Sequence, residues 1–228
     1  FDGFRTSHEI QKIETWDTET LKKMVDMKAA QAFRNRSLNP EHPVLRGTAQ
    51  NPDIFFQARE ACNSYYDNIP SVVEEYMKKV NKEIGTDYKL FNYYGHPQAT
   101  HIIIAMGSVT DTIEETIDFL NAQGRTLGLI KVRLHRPFVA EKLIEAIPDS
   151  VEQISVLDRT KEPGSIGEPL YLDVVAALKG SKFNNTPIAS GRYGLGSKDT
   201  TPAQIKAVYW NASWKEDFKQ RFTISIED

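Results

Sequence analysis

The amino-acid sequence predicts an α/β protein with a mainly parallel sheet flanked by helices and preceded by a helical and loop segment. From His101 onward, short apolar stretches alternate four times with amphipathic stretches that have helical periodicity. Parallel strands need such helical crossovers, because successive strands must start from the same edge of the sheet. Before His101 the helical periodicity is interrupted by prolines, which is typical of helices joined by loops.

The first part of the chain has three features that define its expected elements. Apolar side chains recur every three or four residues from Thr18 to about Ser37, which predicts one helix. Three prolines and a turn cluster then predict a long ordered connection over 39–68 that is not a single regular element. After Pro70 a further helix is expected, and Gly85 suits the left-handed position just beyond its end.

The second part supplies the strands of the sheet. Four parallel strands are expected at 102–106, 127–132, 154–157 and 187–190, and an edge strand at 222–226. The helices between them carry apolar stripes with charged residues on the opposite face. We expect the core to contain Ile103, Ile117, Leu129, Val156 and Val175.

Composition narrows the class of protein. A hydrophobic fraction of 40% and a charged fraction of 26% are those of an ordinary soluble globular protein. The net charge of -3 gives no electrostatic reason to expect a nucleic-acid partner. The longest apolar run, 102–106, is far shorter than the roughly 20 residues that cross a bilayer, so no membrane partner is expected.

Cysteine usage and the first residues point to the cellular context. Cys62 is the only cysteine, so this chain alone cannot form an internal disulfide, a cysteine-ligated iron–sulfur cluster or a cysteine-rich zinc site. A reducing cytoplasm fits this usage best. The chain starts with neither an initiator methionine nor a signal segment, which leads us to expect a piece of a longer protein.

One candidate site is the charged loop that follows the expected strand 154–157. It contains Asp158, Arg159, Lys161 and Glu162 and ends in a Pro-Gly turn. Such a loop could form a ligand site at the carboxyl edge of a parallel sheet, or could dock a neighbouring domain through ion pairs. We favour the domain interface, because no histidine or second carboxylate lies close in sequence to act as an acid–base partner.

A second candidate is the segment 191–198, which has three glycines and the cations Arg192 and Lys198. These residue types are suited either to phosphate contact or to a close approach of two backbone segments. No nucleotide-binding glycine motif, nucleophile motif or histidine pair with metal-ligand spacing occurs in the sequence. We therefore assign no catalytic residue and no metal ligand.

Several segments resemble pyruvate:ferredoxin oxidoreductase, an enzyme that uses thiamine diphosphate and iron–sulfur clusters. The resemblance spans essentially the whole chain. The segments that carry it are FDGFRTSHEIQKIE (1–14), NPEHP (39–43), RGTAQNPD (46–53), AMGS (105–108), KVRL (131–134), RPF (136–138), VLDRTKEPG (156–164) and GRYGLGSK (191–198).

The resemblance implies a domain organisation and a parent activity. Residues 1–60 are expected to be the tail of a pyrimidine-binding domain with an interdomain connection, and 61–228 to resemble the carboxy-terminal domain of transketolase. The parent enzyme would decarboxylate pyruvate oxidatively to acetyl-coenzyme A and pass electrons to ferredoxin or flavodoxin. Thiamine diphosphate, Mg and [4Fe-4S] clusters would lie elsewhere in the parent, which is expected to be a homodimer.

Two functions remain open at this stage. The first is a structural domain that holds the rest of the parent oxidoreductase in register and is inactive when isolated. The second is a binding module for coenzyme A or phosphate that uses Arg192 and Lys198. The binding module requires that these cations line an open pocket, whereas the structural domain would have them covered by Asp and Glu partners. A free-standing hydrolase or phosphatase is the weakest alternative, because a nucleophile is missing.

Overall fold

The computed structural model describes residues 10, 12, 15–45, 47, 49–213 and 218–226 of the chain. The described residues form two compact units, one that ends at Thr86 and one that begins at Asp87. Most of the segment 1–14, which contributes to the family resemblance, lies outside the described residues.

The first unit is helical. Its helices are α1 (Thr18–Met24), α2 (Met27–Asn35), α3 (Pro52–Ala61) and α4 (Asn63–Ile84). Helix α4 ends as expected, with Gly85 in the left-handed conformation at φ 70° and its N–H donating to the Asn81 carbonyl.

The single helix predicted over 18–37 is wrong, because the structure has a break between α1 and α2. Val25 is extended, and the Asp26 carboxylate accepts hydrogen bonds from the N–H groups of Lys28 and Ala29 at 2.9 and 3.0 Å. A side chain that satisfies free amides in this way starts a new helix. The apolar spacing continues across the break and therefore hides it.

The connection predicted over 39–68 contains more regular structure than expected. Pro52 occupies the first turn of α3, where its missing N–H costs nothing, and α4 already begins at Asn63. Pro70 lies inside α4 rather than ahead of it. An interior proline removes one helical hydrogen bond, yet the 22-residue helix continues on both sides of it.

The second unit is built on a six-stranded sheet with the order β1-β3-β2-β4-β5-β6. The strands are β1 (Phe91–Gly95), β2 (His101–Ala105), β3 (Leu127–Val132), β4 (Gln153–Asp158), β5 (Ile188–Arg192) and β6 (Arg221–Thr223). All neighbouring pairs are parallel except β1 with β3. The prediction of a mainly parallel α/β sheet is confirmed, whereas the antiparallel edge strand β1 was not foreseen.

Two layers of helices cover the sheet. They consist of α5 (Val109–Asn121), α6 (Ala140–Ala146), α7 (Pro169–Leu178) and α8 (Pro202–Ser213). Helices α5 and α8 pack together with Ile103 and Ala105 of β2. The alternate residues Ile102 and Ile104 are also buried, on the opposite face, and α6 packs against α7.

The predicted core is largely correct. Ile103, Ile117, Leu129 and Val156 are inaccessible to solvent. Val175 is 38% exposed, so its assignment to the core is wrong. The buried stripe of α7 consists of Leu170, Val174 and Leu178, which recur every four residues and therefore share one helix face.

Replacing Ile103 by Ala is expected to lower the free energy of unfolding by about 2–5 kcal/mol, because it removes buried methylenes from a packed core. Val175→Ala provides the matched control on an exposed helix face and should change it by no more than about 0.5 kcal/mol. Urea denaturation of the purified chain measures both values. Equal costs for the two variants would contradict the placement of β2 at the centre of the core.

Candidate functional site

The charged residues predicted from the sequence meet at the carboxyl edge of the sheet. Strands β4 and β5 pair with Asp158 opposite Arg192, and β5 and β6 pair with Arg192 opposite Thr223. The loops that leave these three strand ends contain both candidate segments. Ligand sites of parallel α/β sheets lie at this edge, so the location is the one in which a functional site is expected.

Asp158 is buried and caps helix α7 across the loop. Its Oδ1 accepts a hydrogen bond from the N–H of Leu170 at 2.9 Å, and its Oδ2 accepts one from Tyr171 at 3.1 Å. These amides belong to the first turn of the helix, which has no internal partners for them. Burial raises the pKa of the Asp158 carboxyl, while the two backbone hydrogen bonds oppose that shift.

Glu168 is a second buried carboxylate at this edge, and it was missed in the sequence. It is 1% exposed, and its Oε2 accepts a hydrogen bond from the N–H of Glu162 at 2.7 Å. Its Oε1 lies 3.4 Å from Nη1 of Arg192. An acidic residue directly before a proline at the start of a helix is the signal that could have identified it.

Arg192 is held from two sides. Besides its ion pair with Glu168, its Nε donates to Oγ1 of Thr223 at 3.1 Å, and its side chain is 16% exposed. The positive charge of Arg192 is therefore matched inside the unit. Through these contacts Arg192 connects the loop that leads into α7 with strands β5 and β6.

Arg159 connects the two candidate loops. Its Nε donates to the carbonyl of Gly194 at 3.0 Å. Gly194 has φ 67°, and a Cβ built on it would come within 3.1 Å of the Arg159 Nε. Glycine at this position therefore satisfies both the left-handed backbone and the close approach of the arginine.

The predicted interface residues divide into two pairs. The side chains of Asp158 and Arg159 make the internal contacts described above. Lys161 and Glu162 are exposed at the tip of the loop, beside the exposed Ile166. A role of this loop in docking a neighbouring domain stays a prediction, and Lys161 and Glu162 are the residues of the four whose side chains are available for it.

Arg192 and Lys198, the predicted phosphate contacts, line one cavity of about 300 Å³. Lys161 from the preceding loop lines the same cavity. The structure thus brings together Arg192 at the end of β5 and one lysine from each of the loops that follow β4 and β5. Lys161 had been assigned only to the interface loop, and its distance from Arg192 in sequence gave no indication that it shares a cavity with it.

A histidine–aspartate pair also lies near this edge. Nε2 of His135 is 3.0 Å from Oδ2 of Asp173, and the same oxygen accepts from Arg136 at 2.9 Å. The pair connects the loop after β3 to helix α7. Within the described ranges, no group of three His, Cys, Asp or Glu side chains could hold a metal ion. The pair has no nucleophile among its recorded contacts, so we assign it a structural role.

Asp158→Ala is expected to lower the free energy of unfolding by about 1–3 kcal/mol, because the buried N–H of Leu170 and the partly buried N–H of Tyr171 lose their acceptor. Asp173→Ala is a control in which a partly exposed carboxylate is lost from an ion pair, with an expected cost of about 0–1 kcal/mol. Urea denaturation at neutral pH compares the two. A cost for Asp158→Ala no greater than that of the control would contradict its role as the cap of α7.

Asp158 also predicts a pH dependence of stability. Its folded pKa is raised above the reference value of 3.8, so its protonation favours the folded state; this contribution is complete below 3.8 and is lost as pH rises through the folded pKa. The unfolding free energy of the parent chain minus that of Asp158→Asn, which cannot ionise, should therefore decrease as pH rises from 3.8 through the folded pKa of Asp158. A difference that increases with pH would contradict the direction of the shift.

Comparisons with known proteins agree with the resemblance described above. The family model described as "Pyruvate flavodoxin/ferredoxin oxidoreductase, thiamine diP-bdg" matches residues 1–78. A second model, "Pyruvate:ferredoxin oxidoreductase core domain II", matches residues 99–205. No helix among the described residues is both long and apolar enough to span a membrane.

Individual relatives match the chain over its whole length. A pyruvate-flavodoxin oxidoreductase of Enterobacter agglomerans is 53% identical over 228 residues, which are 100% of this chain and 19% of that protein. A pyruvate:ferredoxin oxidoreductase of Moorella thermoacetica is 52% identical with the same coverage. A solved 2-oxoglutarate:ferredoxin oxidoreductase from Magnetococcus marinus aligns with 67% of this chain and 24% of its own at 20% identity, but its TM-score of 0.39 is too low to support an argument.

The two family models match successive parts of the chain, and both describe the same kind of enzyme. Two relatives with about half of their aligned residues identical are named as pyruvate-flavodoxin and pyruvate:ferredoxin oxidoreductases. The chain therefore belongs to the pyruvate:ferredoxin (flavodoxin) oxidoreductase family and spans about one fifth of the length of the curated relatives that it matches.

Proposed function

We propose that this chain is a structural part of a pyruvate:ferredoxin or flavodoxin oxidoreductase, and that it is inactive when isolated. The observation that carries the proposal is the absence of buried residues in the first unit. None of the described residues between 10 and 86 is buried, although four helices lie in this range. Most of the stability of a helix in a protein comes from packing an apolar face, so these helices need a surface from elsewhere.

The exposed residues of the first unit are of the kind that normally form a core. Phe56 is 69% exposed, and Phe33, Phe55, Tyr65 and Tyr66 are exposed as well. Each aromatic side chain buries roughly 150–250 Å² when it is covered. A free-standing domain covers most of its phenylalanine side chains, so several exposed aromatic residues in one helical unit are unusual.

We infer that the remainder of the parent polypeptide covers these aromatic residues. The relatives are about five times as long as this chain, which leaves most of the parent outside it. The first family model, described as thiamine-diphosphate-binding, ends within α4. The match includes all of residues 1–60, which supports their assignment to the tail of that cofactor-binding domain, and 61–228 are proposed as the transketolase-like domain that follows.

The chemistry of the parent is assigned to other parts of it. We propose that the parent decarboxylates pyruvate to acetyl-coenzyme A and transfers electrons to ferredoxin or flavodoxin, using thiamine diphosphate, Mg and [4Fe-4S] clusters. The residues of this chain do not fit an iron–sulfur cluster or a bound metal ion: it has one cysteine, and its described residues contain no cluster of metal ligands. We derive no catalytic step from it. A homodimeric parent in the cytoplasm remains part of the same proposal.

Hydrogen exchange tests the structural role. Amides of 10–86 should exchange faster in the isolated chain than in the full-length parent, because their covering surface is missing. Strands β2 and β3 serve as the internal control, since their core is complete within this chain and they should be protected in both. Equal protection of 10–86 in both proteins would contradict the proposal.

The same experiment separates the two partners that could cover the aromatic residues. If a second copy of this chain covered them, protection of 10–86 in the isolated chain would rise with protein concentration. If the remainder of the parent covers them, as we propose, protection should be independent of concentration and appear only in the full-length protein. A concentration-dependent rise would overturn the assignment to the remainder of the parent.

A complementary measurement tests the expected inactivity. The purified chain should neither consume pyruvate nor release CO₂ when supplied with thiamine diphosphate, Mg²⁺, coenzyme A and ferredoxin. The full-length parent, assayed under the same conditions, is the positive control. Pyruvate consumption by the isolated chain that depends on thiamine diphosphate would overturn the structural role.

A second candidate function is contact with coenzyme A or another phosphate-bearing ligand of the parent. The observation that favours it is the cavity shared by Lys161, Arg192 and Lys198. Arg192 is paired with Glu168, which is what a purely structural domain would show. Lys161 and Lys198 are exposed, which is what a binding module for coenzyme A or phosphate would show. The two functions are compatible, because they use different parts of the chain.

A further inference from the structure

The cavity at the carboxyl edge of the sheet has an unequal distribution of charge. It lies where β5 and β6 end, and its charged wall consists of Lys161, Arg192 and Lys198. Arg192 is already paired with the buried Glu168. In the described part of the chain, no hydrogen bond or ion pair is recorded for the ammonium group of either lysine. The cavity therefore has an excess of about two positive charges.

The apolar part of the wall strengthens the effect of these charges. Tyr193, Leu195, Ile224 and Ile226 line the same cavity. Apolar surface displaces water, and the attraction between opposite charges increases as the effective dielectric constant falls. An anion inside this cavity would consequently interact more strongly with the lysines than an anion at an open surface.

The backbone that carries Lys198 is held in an unusual conformation. Gly196 and Ser197 both have φ 61°. A positive φ is readily adopted by glycine but is uncommon for serine, and such residues persist only where the surrounding structure imposes them. The turn is fixed at its other end by the hydrogen bond from Arg159 to Gly194. Lys198 thus extends from a turn whose direction is set by contacts within the unit.

We propose that this cavity binds a phosphate-bearing ligand, with Lys161 and Lys198 as the direct contacts. The inference deepens the second candidate function and rests on it. A phosphate dianion matches the two uncompensated charges, and lysine contacts phosphate as a point charge. A volume of about 300 Å³ is large enough for a phosphate or diphosphate group together with part of the molecule that carries it.

Arg192 has a positioning role in this site. Its contacts with Glu168 and Thr223 fix the guanidinium at the wall of the cavity. Because Glu168 already balances its charge, Arg192 contributes orientation of the wall more than net attraction. The sequence predicts equal roles for Arg192 and Lys198 as phosphate contacts. It places Lys161 in the interface loop and does not predict a phosphate contact for it.

Calorimetric titration of the full 228-residue chain with inorganic phosphate and with pyrophosphate, at constant ionic strength, tests the proposal. Saturable binding is expected, and the double variant Lys161→Ala/Lys198→Ala should weaken it by about tenfold or more, because two charge-assisted contacts are lost. The control is Lys82→Ala/Lys179→Ala, which removes two exposed lysines outside the cavity and leaves the same net charge. This control should bind as the parent chain does.

Each other outcome has a defined meaning. Absence of saturable phosphate binding, or equal weakening in both double variants, would overturn the proposal. Acetate binding as tight as that of phosphate would also overturn it, since the site would then recognise a carboxylate. If phosphate binds as expected and coenzyme A does not, the anion site stands and the coenzyme A function fails. The structural role is judged separately, by hydrogen exchange of 10–86.

Discussion

Two carboxylates taken out of water, Asp158 and Glu168, organise the edge of the sheet at which the candidate site lies. A buried charge is costly unless it is hydrogen-bonded or paired. Asp158 is satisfied by the first amides of α7, and Glu168 by the amide of Glu162 together with Arg192. Because Arg192 also contacts Thr223, these requirements fix the ends of β4, β5 and β6 relative to one another. The position of the cavity follows from them.

The two units are stabilised by different sources. The sheet unit buries a continuous set of aliphatic side chains, such as Ile103, Ile104 and Leu129, between its own layers. The helical unit has caps and a 22-residue helix but no buried residue within its described part. Local capping contributes on the order of 1 kcal/mol for each helix end, which cannot replace a core. A helical segment of this kind is suited to packing against another domain that supplies the missing core. The sheet unit has its own core and does not need such a partner.

Local patterns predicted those elements whose signal is contained in a few neighbouring residues. Strand β3 was placed at its observed bounds, because its apolar run is interrupted only by Lys131 and lies between polar residues. Helix α7 was also found, but its sequence is apolar on nearly every side, so periodicity could not identify Val174 rather than Val175 as buried. The break at Asp26 was missed for a related reason, since apolar residues continue through it.

The site was predictable only in part, because its contacts join residues that are distant in sequence. The motif 191–198 indicated Arg192 and Lys198 as candidates without any knowledge of the fold. The contact between Glu168 and Arg192 spans 24 residues, and it arises because β4 and β5 are neighbours in the sheet. The same neighbour relation brings Lys161 into the cavity. Such pairings depend on strand order, which a local pattern does not encode.

The position of the cavity differs from the usual ligand position in a parallel sheet. That position is the crevice between two strands whose following loops lead to opposite faces, here β2 and β4. In this chain Tyr193 is buried at that crevice, and its hydroxyl lies 3.4 Å from the carbonyl oxygen of Met106, which follows β2. Arg159 covers Gly194 next to it. Since side chains fill the crevice, the accessible space lies farther along the edge, where β5 and β6 end and the uncompensated lysines are found. Tyr193 and Arg159 thus separate the cationic cavity from the usual crevice, and the cavity lies beside the ends of β5 and β6 rather than between β2 and β4.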